Sequence, residues 1–160
     1  MNRRQRGVTL IELVAVLVIV GVLALVAAPR FVSVTPFEQA GFRDEAIAAL
    51  SYAQKLAIVS GCYIRIDFAA TGYEIRRSTS AVNCRDLAAG LVVVARPDGT
   101  PFRGAPPGGV TVSALSVFFD TVGRPRDVVS GLLLTNPAAL TVAVGPETIR
   151  IEPETGFVHL

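Results

Sequence analysis

Sixteen apolar residues run without interruption from Leu13 to Ala28, and a single acid, Glu12, stands at their leading edge. No other feature narrows the possible folds as much. Taken from Val8 to Ala28, the stretch is 21 residues, or about 32 Å as a helix, enough to cross the hydrocarbon core of a bilayer. Such a segment predicts a spanning helix rather than a piece of a soluble core. Arg3, Arg4 and Arg6 precede it, and that positive flank predicts a cytoplasmic N-terminus with the remainder on the far side. Two simple readings are a plain membrane anchor and a secretory signal peptide cut near Ala27 or Ala28. Pro29, directly after the small residues, and a run beyond the usual 7–15 residues weigh against the signal peptide. Neither reading accounts for Glu12, because a carboxylate in a spanning helix costs on the order of 2.5–3.5 kcal/mol at the centre and normally marks a partner.

The rest of the chain is electrically balanced. Of 15 basic and 13 acidic residues, the three leading arginines and Glu12 belong to the anchor region, which leaves twelve of each from Arg30 onward. That balance argues against a strongly nucleic-acid-binding domain.

The heptapeptide Gly7-Val8-Thr9-Leu10-Ile11-Glu12-Leu13 resembles the processing site of type IV pilins and of the pseudopilins of type II secretion. The resemblance implies cleavage by a membrane peptidase after Gly7 and N-methylation of the new N-terminus at Val8. Glu12 becomes the fifth mature residue, and Pro29 falls where many members carry a helix-kinking proline. Phe is the common first mature residue of the family, and Val8 departs from it. Cleavage would set an amine at Val8 one helical turn from Glu12, so the two could neutralise each other between stacked subunits. In that reading Glu12 sets filament register. The C-terminal part resembles the GspH-type group of minor pilins and pseudopilins less specifically, through "YAQKLAIVSG", "FFDTVGRP" and "TIRIEPETGFVHL".

Beyond the anchor, Phe42, Ala46, Ala49, Leu50, Ala53, Leu56 and Ala57 fall at helical spacing, with Arg43, Asp44, Gln54 and Lys55 elsewhere around the helix. Ser60-Gly61 is the expected stop. From Cys62 the period becomes two: Ile64, Ile66 and Phe68 alternate with Arg65 and Asp67, Ala69-Ala70-Thr71-Gly72 turns the chain, and Tyr73 and Ile75 return. Further strands are expected at Leu91–Ala95, Val110–Ser113, Ser116–Phe119, Leu132–Thr135, Leu140–Val144, Thr148–Glu152 and Phe157–His159. The fold class that follows is α+β, a long N-terminal helix whose first half spans the membrane and whose second half packs on an antiparallel sheet. The expected organisation is a leader over 1–7, a spanning and filament-core helix over 8–28, its second half over 29–60 and a β-rich periplasmic head over 61–160.

Cys62 and Cys84 are the only cysteines, and in an exported head they are expected to form a disulfide. A turn centred between Ala70 and Thr71 sets Cys62 opposite residue 79, so residues 82–85 must curl back to reach it. Two buried free thiols are the alternative. His159 is the lone histidine, and no H-E-x-x-H, G-x-S-x-G or P-loop pattern occurs, so no catalysis, cofactor or metal is expected. Asp120 with Arg124, Arg126 and Asp127 reads as a solvated turn. Arg65, Arg76, Arg77 and Arg85 around one hairpin raise a competing function, DNA capture for uptake, opposed by the interleaved Asp67, Glu74 and Asp86. The leading expectation is a minor pilin or pseudopilin of the inner membrane, extracted into a type IV pilus or secretion pseudopilus. Its expected partners are other subunits, prepilin peptidase and the assembly platform. A Sec-exported soluble β domain is the third reading.

Overall fold

The computed structural model describes residues 9–27, 35–80, 83–86 and 90–160. The chain divides into two units, residues 1–36 and 37–160. Gly7, Val8 and Pro29 lie outside the described residues, as does the junction between the two helices.

In the first unit α1 runs from Leu10 to Ala27. Thr9 opens it: its Oγ1 accepts from the Glu12 N–H at 3.3 Å, and its carbonyl accepts from the N–H groups of Glu12 and Leu13 at 3.1 Å each. A threonine followed three residues later by glutamate is a helix-start signature, and an acid in the first turn is favoured by the helix dipole. The described helix is 18 residues long, about 27 Å, against an expected span of 21 residues. Among the described residues no helix is long and apolar enough to cross a membrane.

The next helix, α2, covers Thr35–Ser60 and belongs to the second unit from Phe37 onward. Pro36 sits in its first turn, where a missing N–H costs nothing. Gly61, at φ +64°, ends it. The face read from the sequence is the face that is buried: Phe42, Ala46, Ala49, Leu50, Ala53 and Ala57 are at most 3% exposed, and Leu56 packs partly buried beside them.

The β elements form two antiparallel sheets rather than the single sheet expected. The larger contains β1 (Ile64–Ala69), β2 (Gly72–Ser78), β3 (Leu91–Val93), β4 (Arg103–Gly104), β5 (Leu115–Phe119) and β6 (Pro125–Asp127), in the order β3-β2-β1-β5-β6 with β4 also on β2. The smaller is β7 (Thr141–Val144), β8 (Glu147–Ile151) and β9 (Val158–His159). The first hairpin has the expected register, with Ala69 opposite Gly72 and Ile64 opposite Arg77. Ile64, Ile66, Phe68, Tyr73, Ile75, Val117 and Phe119 join the α2 stripe in one core with Leu140, Val142, Val144, Ile149 and Ile151 of the second sheet.

Two expected strands are not strands. Val110–Ser113 makes one bridge, Val112 to Val144, and Leu132–Thr135 makes one, Leu133 to Arg126. Two short strands form that were not expected: β4, two residues long, and β6, three residues long at a segment read as turn. Pro125 has no N–H to give, and its strand lies at the end of the sheet order, where none is needed.

Candidate functional site

Three surfaces carry the residues singled out by sequence. The first is the start of α1. Glu12 is exposed there, in the first turn, and from Leu10 to Leu23 every apolar side chain is exposed as well. The first turn thus sets one carboxylate at the positive end of an apolar helix.

The second surface is the arginine hairpin. The structure brings the four arginines to one region but engages them differently. Arg65 and Arg76 stand directly opposite each other, as do Asp67 and Glu74. Like charges across a ladder repel, and each arginine is satisfied along its own strand instead: Arg65 Nε donates to Asp67 Oδ1 at 2.7 Å and Arg76 Nε to Glu74 Oε2 at 2.9 Å. Arg65 also lies over the ring of Phe118 at 5.8 Å, which is fully buried although it points away from the α2 core. Arg85 Nε donates to the Gly61 carbonyl at 3.1 Å. Arg77 is exposed and has no ion pair among the described residues. The basic residues are therefore largely neutralised or used as struts.

The third region is the turn of "FFDTVGRP". Asp120 is 2% exposed, contrary to the solvated turn expected. Its Oδ1 accepts from the N–H groups of Val122 at 3.0 Å and Arg124 at 2.9 Å, and its Oδ2 from Arg124 Nε at 3.2 Å and Arg126 Nε at 3.1 Å. Burial, the largest single influence, pushes Asp120 up. The backbone donors of Arg124 and Val122 with the Arg126 guanidinium outweigh it and hold the carboxyl below the usual carboxylate range. Four donors converging on one carboxylate fix a turn; they leave no lone pair for chemistry. Asp127 instead caps its own exposed turn through Val129 and Ser130.

Cys62 and Cys84 are bonded, with Cα atoms 5.1 Å apart. The curl required of the chain is visible in a second link, from the Tyr63 N–H to the Cys84 carbonyl at 3.2 Å. His159 Nε2 contacts Glu152 Oε1 at 2.8 Å, and the carboxylate raises the imidazole above its ordinary value. Among the described residues no group of three or more His, Cys, Asp or Glu is placed to hold a metal ion. Sequence reading missed one cluster. Tyr52 stacks on Phe102 with centroids 4.5 Å apart, and Arg96 lies over the same ring at 4.8 Å. The contact joins α2 to the loop between β3 and β4, and its members are too far apart in sequence for any local pattern to signal it.

Residues 2–28 match the family described as the prokaryotic N-terminal methylation motif. Neither a curated protein nor a solved structure matches the chain. The match covers the N-terminal segment alone, the same stretch whose sequence resembles the processing site of type IV pilins and pseudopilins.

Proposed function

We propose that this chain is a minor pilin or pseudopilin, a subunit that helps build or stud a type IV pilus or secretion pseudopilus. The observation that carries the reading is the position of Glu12, in the first turn of an apolar helix and five residues beyond the glycine of the methylation motif. Peptidase cleavage after Gly7 supplies a cation at Val8. In a filament that amine, on the same or a neighbouring subunit, meets the Glu12 carboxylate in a low-dielectric setting. An unpaired Glu12 then penalises every wrong axial register, as one buried polar residue does in coiled coils. Residues 8–28 serve first as the membrane segment and then as filament core. Residues 29–60 carry the chain to the head at 61–160, which lies in the periplasm until extraction. The head works by contact with other subunits and the assembly platform, not by catalysis.

The reading is tested by mass spectrometry of the cellular protein together with fibre incorporation. The expected result is a mature N-terminus at N-methylated Val8, and loss of Glu12→Ala from fibres while the unassembled chain accumulates in the inner membrane. A start near Pro29 identifies a Sec-exported domain instead and overturns the proposal. Retention of the first seven residues, or unchanged incorporation of Glu12→Ala, also overturns it.

A further inference from the structure

A groove of about 460 Å³ runs beside the disulfide, between the C-terminal half of α2 and the edge of the larger sheet formed by β2 and the residues after β3. That volume is in the range of sites that seat a small ligand. The lining is mainly apolar. Ile64 and Val94 belong to it and are 1% and 6% exposed, and Leu56 lines it half-buried. Tyr52 marks one end: its ring stacks on Phe102 at 4.5 Å, and the Phe102 N–H donates to the Val94 carbonyl at 2.7 Å. Ser60 and the Cys62–Cys84 bond mark the other, where Ser60 Oγ accepts from the Cys62 N–H at 3.3 Å. From Tyr52 to Ser60 the helix advances about 12 Å, room for three or so residues of extended chain at roughly 3.3 Å each.

One charge stands in this apolar setting. Arg77 is the only charged group among the described lining residues, and it lies opposite Ile64 in the hairpin register. Along β2 it follows Tyr73 and Ile75 at period two, so it shares their face and not that of Glu74 and Arg76, which pair with each other. No acid among the described residues forms an ion pair with Arg77. Ser78 and Ser80 line the groove beside it. Ser78 Oγ accepts from the Ser80 N–H at 3.1 Å and Ser80 Oγ from the Asn83 N–H at 2.9 Å, and neither hydroxyl donates to a described acceptor. Donors are in excess here and the matching anion is missing.

A guanidinium at the rim of an apolar floor selects a carboxylate that carries an apolar group. The groove is also open, since Arg77 and Ser60 are exposed and Tyr52 is 36% exposed, so the rest of a longer ligand can run on into solvent. We infer that it receives the terminal residue of another polypeptide, with the apolar side chain against Ile64 and Val94 and the carboxylate on Arg77. Capture of a chain end by convergent donors is an established mode of peptide recognition. An internal acid fits less well. In extended chain, neighbouring side chains point to opposite faces, so an acid and an adjacent apolar residue cannot both enter, whereas a terminal residue carries both groups on one Cα. The site lies wholly within the head and does not depend on entry of the chain into a fibre.

The test titrates the full-length chain, held in lipid nanodiscs, with the peptide acetyl-Gly-Gly-Phe as free acid and as amide, following the methyl NMR signals of Ile64 and Val94. The free acid is expected to shift both signals and to bind about ten-fold or more tightly than the amide, the worth of a charge-assisted hydrogen bond. Arg77→Gln, at an exposed position, is expected to weaken the acid by that factor and leave the amide unchanged. Acid and amide then become equal, a convergence that general loosening of the head would not produce. Exchange of the terminal phenylalanine for glycine is expected to remove the methyl shifts. Equal binding of acid and amide by the parent overturns the inference, as does an acid preference that survives Arg77→Gln. So does methyl shifting by the glycine-ended peptide, or its absence with the phenylalanine-ended acid at about 10 mM.

Discussion

Gly156 lies against the main chain of Gly123, so closely that a Cβ on Gly156 would stand 2.0 Å from the Gly123 carbonyl oxygen. The contact joins the turn after β5 to the turn before β9, and therefore one sheet to the other. Gln54 of α2 completes it, donating to the Thr155 carbonyl at 2.7 Å and reaching the Gly123 carbonyl at 3.5 Å. Gly156 also has φ +68°. Gly156→Ala is expected to lower head stability by about 2–4 kcal/mol, combining left-handed backbone cost with overpacking. Gly99→Ala separates the two causes. Gly99 has φ +82° but open space around it, so only the backbone cost applies, about 1–2 kcal/mol. Equal shifts of the two urea midpoints would refute the steric contribution.

The Asp120 carboxylate predicts acid sensitivity. Its folded-state pKa is depressed, the sum of opposed burial and hydrogen bonding. The stability it contributes is therefore fully present above the ordinary aspartate pKa and is lost as pH falls through the lower folded value. Asp120→Asn removes the charge facing Arg124 and Arg126 at nearly constant volume. With both guanidinium partners partly exposed, the expected loss at neutral pH is near the lower limit for a broken buried pair, about 3 kcal/mol. Urea unfolding at pH 7 and at pH 3 checks it: the gap between parent and variant should shrink in acid.

How much of this was readable in advance depended on whether a feature was local. The α2 stripe was legible because Phe42, Ala46, Leu50 and Ala57 repeat at helical spacing and nothing distant alters that period. The β1/β2 register was legible because Ala70-Thr71 fixes the turn and one register follows. Asp120 was not, since the donors of Val122, Arg124 and Arg126 converge on its buried carboxylate only in the folded turn, and local composition reads as polar turn. The split into two sheets was equally hidden: Val110 and Val112 alternate like a strand, yet they bury their side chains while only one of them finds a bridging partner. At the candidate site, Gly7, Val8, Glu12 and Pro29 were read from motif alone. The capping role of Thr9 is equally local, written in the T-x-x-E spacing of Thr9 and Glu12.

Reduction of Cys62–Cys84 should loosen the head measurably. The bond closes a loop of 22 residues, for which the chain-entropy relation gives about 3 kcal/mol. The doubly substituted Cys62→Ser, Cys84→Ser chain is expected to unfold at a correspondingly lower urea concentration and to become insensitive to reductant. Thiol labelling of native parent protein should find neither cysteine free; labelling of both would refute the bond.

His159 offers a titration within reach of ordinary pH. The Glu152 side chain, the largest influence, and the Leu160 carbonyl raise its pKa, against some burial and the charge of Arg150. The folded value lies above the unfolded one, so its small contribution to stability is present at low pH and fades as pH rises through the folded pKa. Proton NMR of the imidazole should give a midpoint above 6.5, and Glu152→Gln should bring it down. A midpoint indifferent to that substitution would dissolve the pair.

The hairpin arginines allow a direct test of DNA capture against filament assembly. Arg65 and Arg76 are each held by an acid two residues along the same strand, so the parent face offers a duplex little unopposed charge. The chain is expected to show no measurable DNA retention at moderate salt. Replacing both acids, Asp67→Asn with Glu74→Gln, leaves Arg65 and Arg76 opposite each other without counterions. That variant should gain salt-dependent binding, its slope of log K against log salt steeper by roughly two for two newly available phosphate contacts. The same substitutions should lower stability modestly, because the repulsion between the facing arginines is then uncompensated. If the parent chain instead binds duplex DNA with a steep salt slope that Arg77→Ala and Arg85→Ala abolish, capture belongs to this head, and the acids beside Arg65 and Arg76 serve only to keep the strands paired.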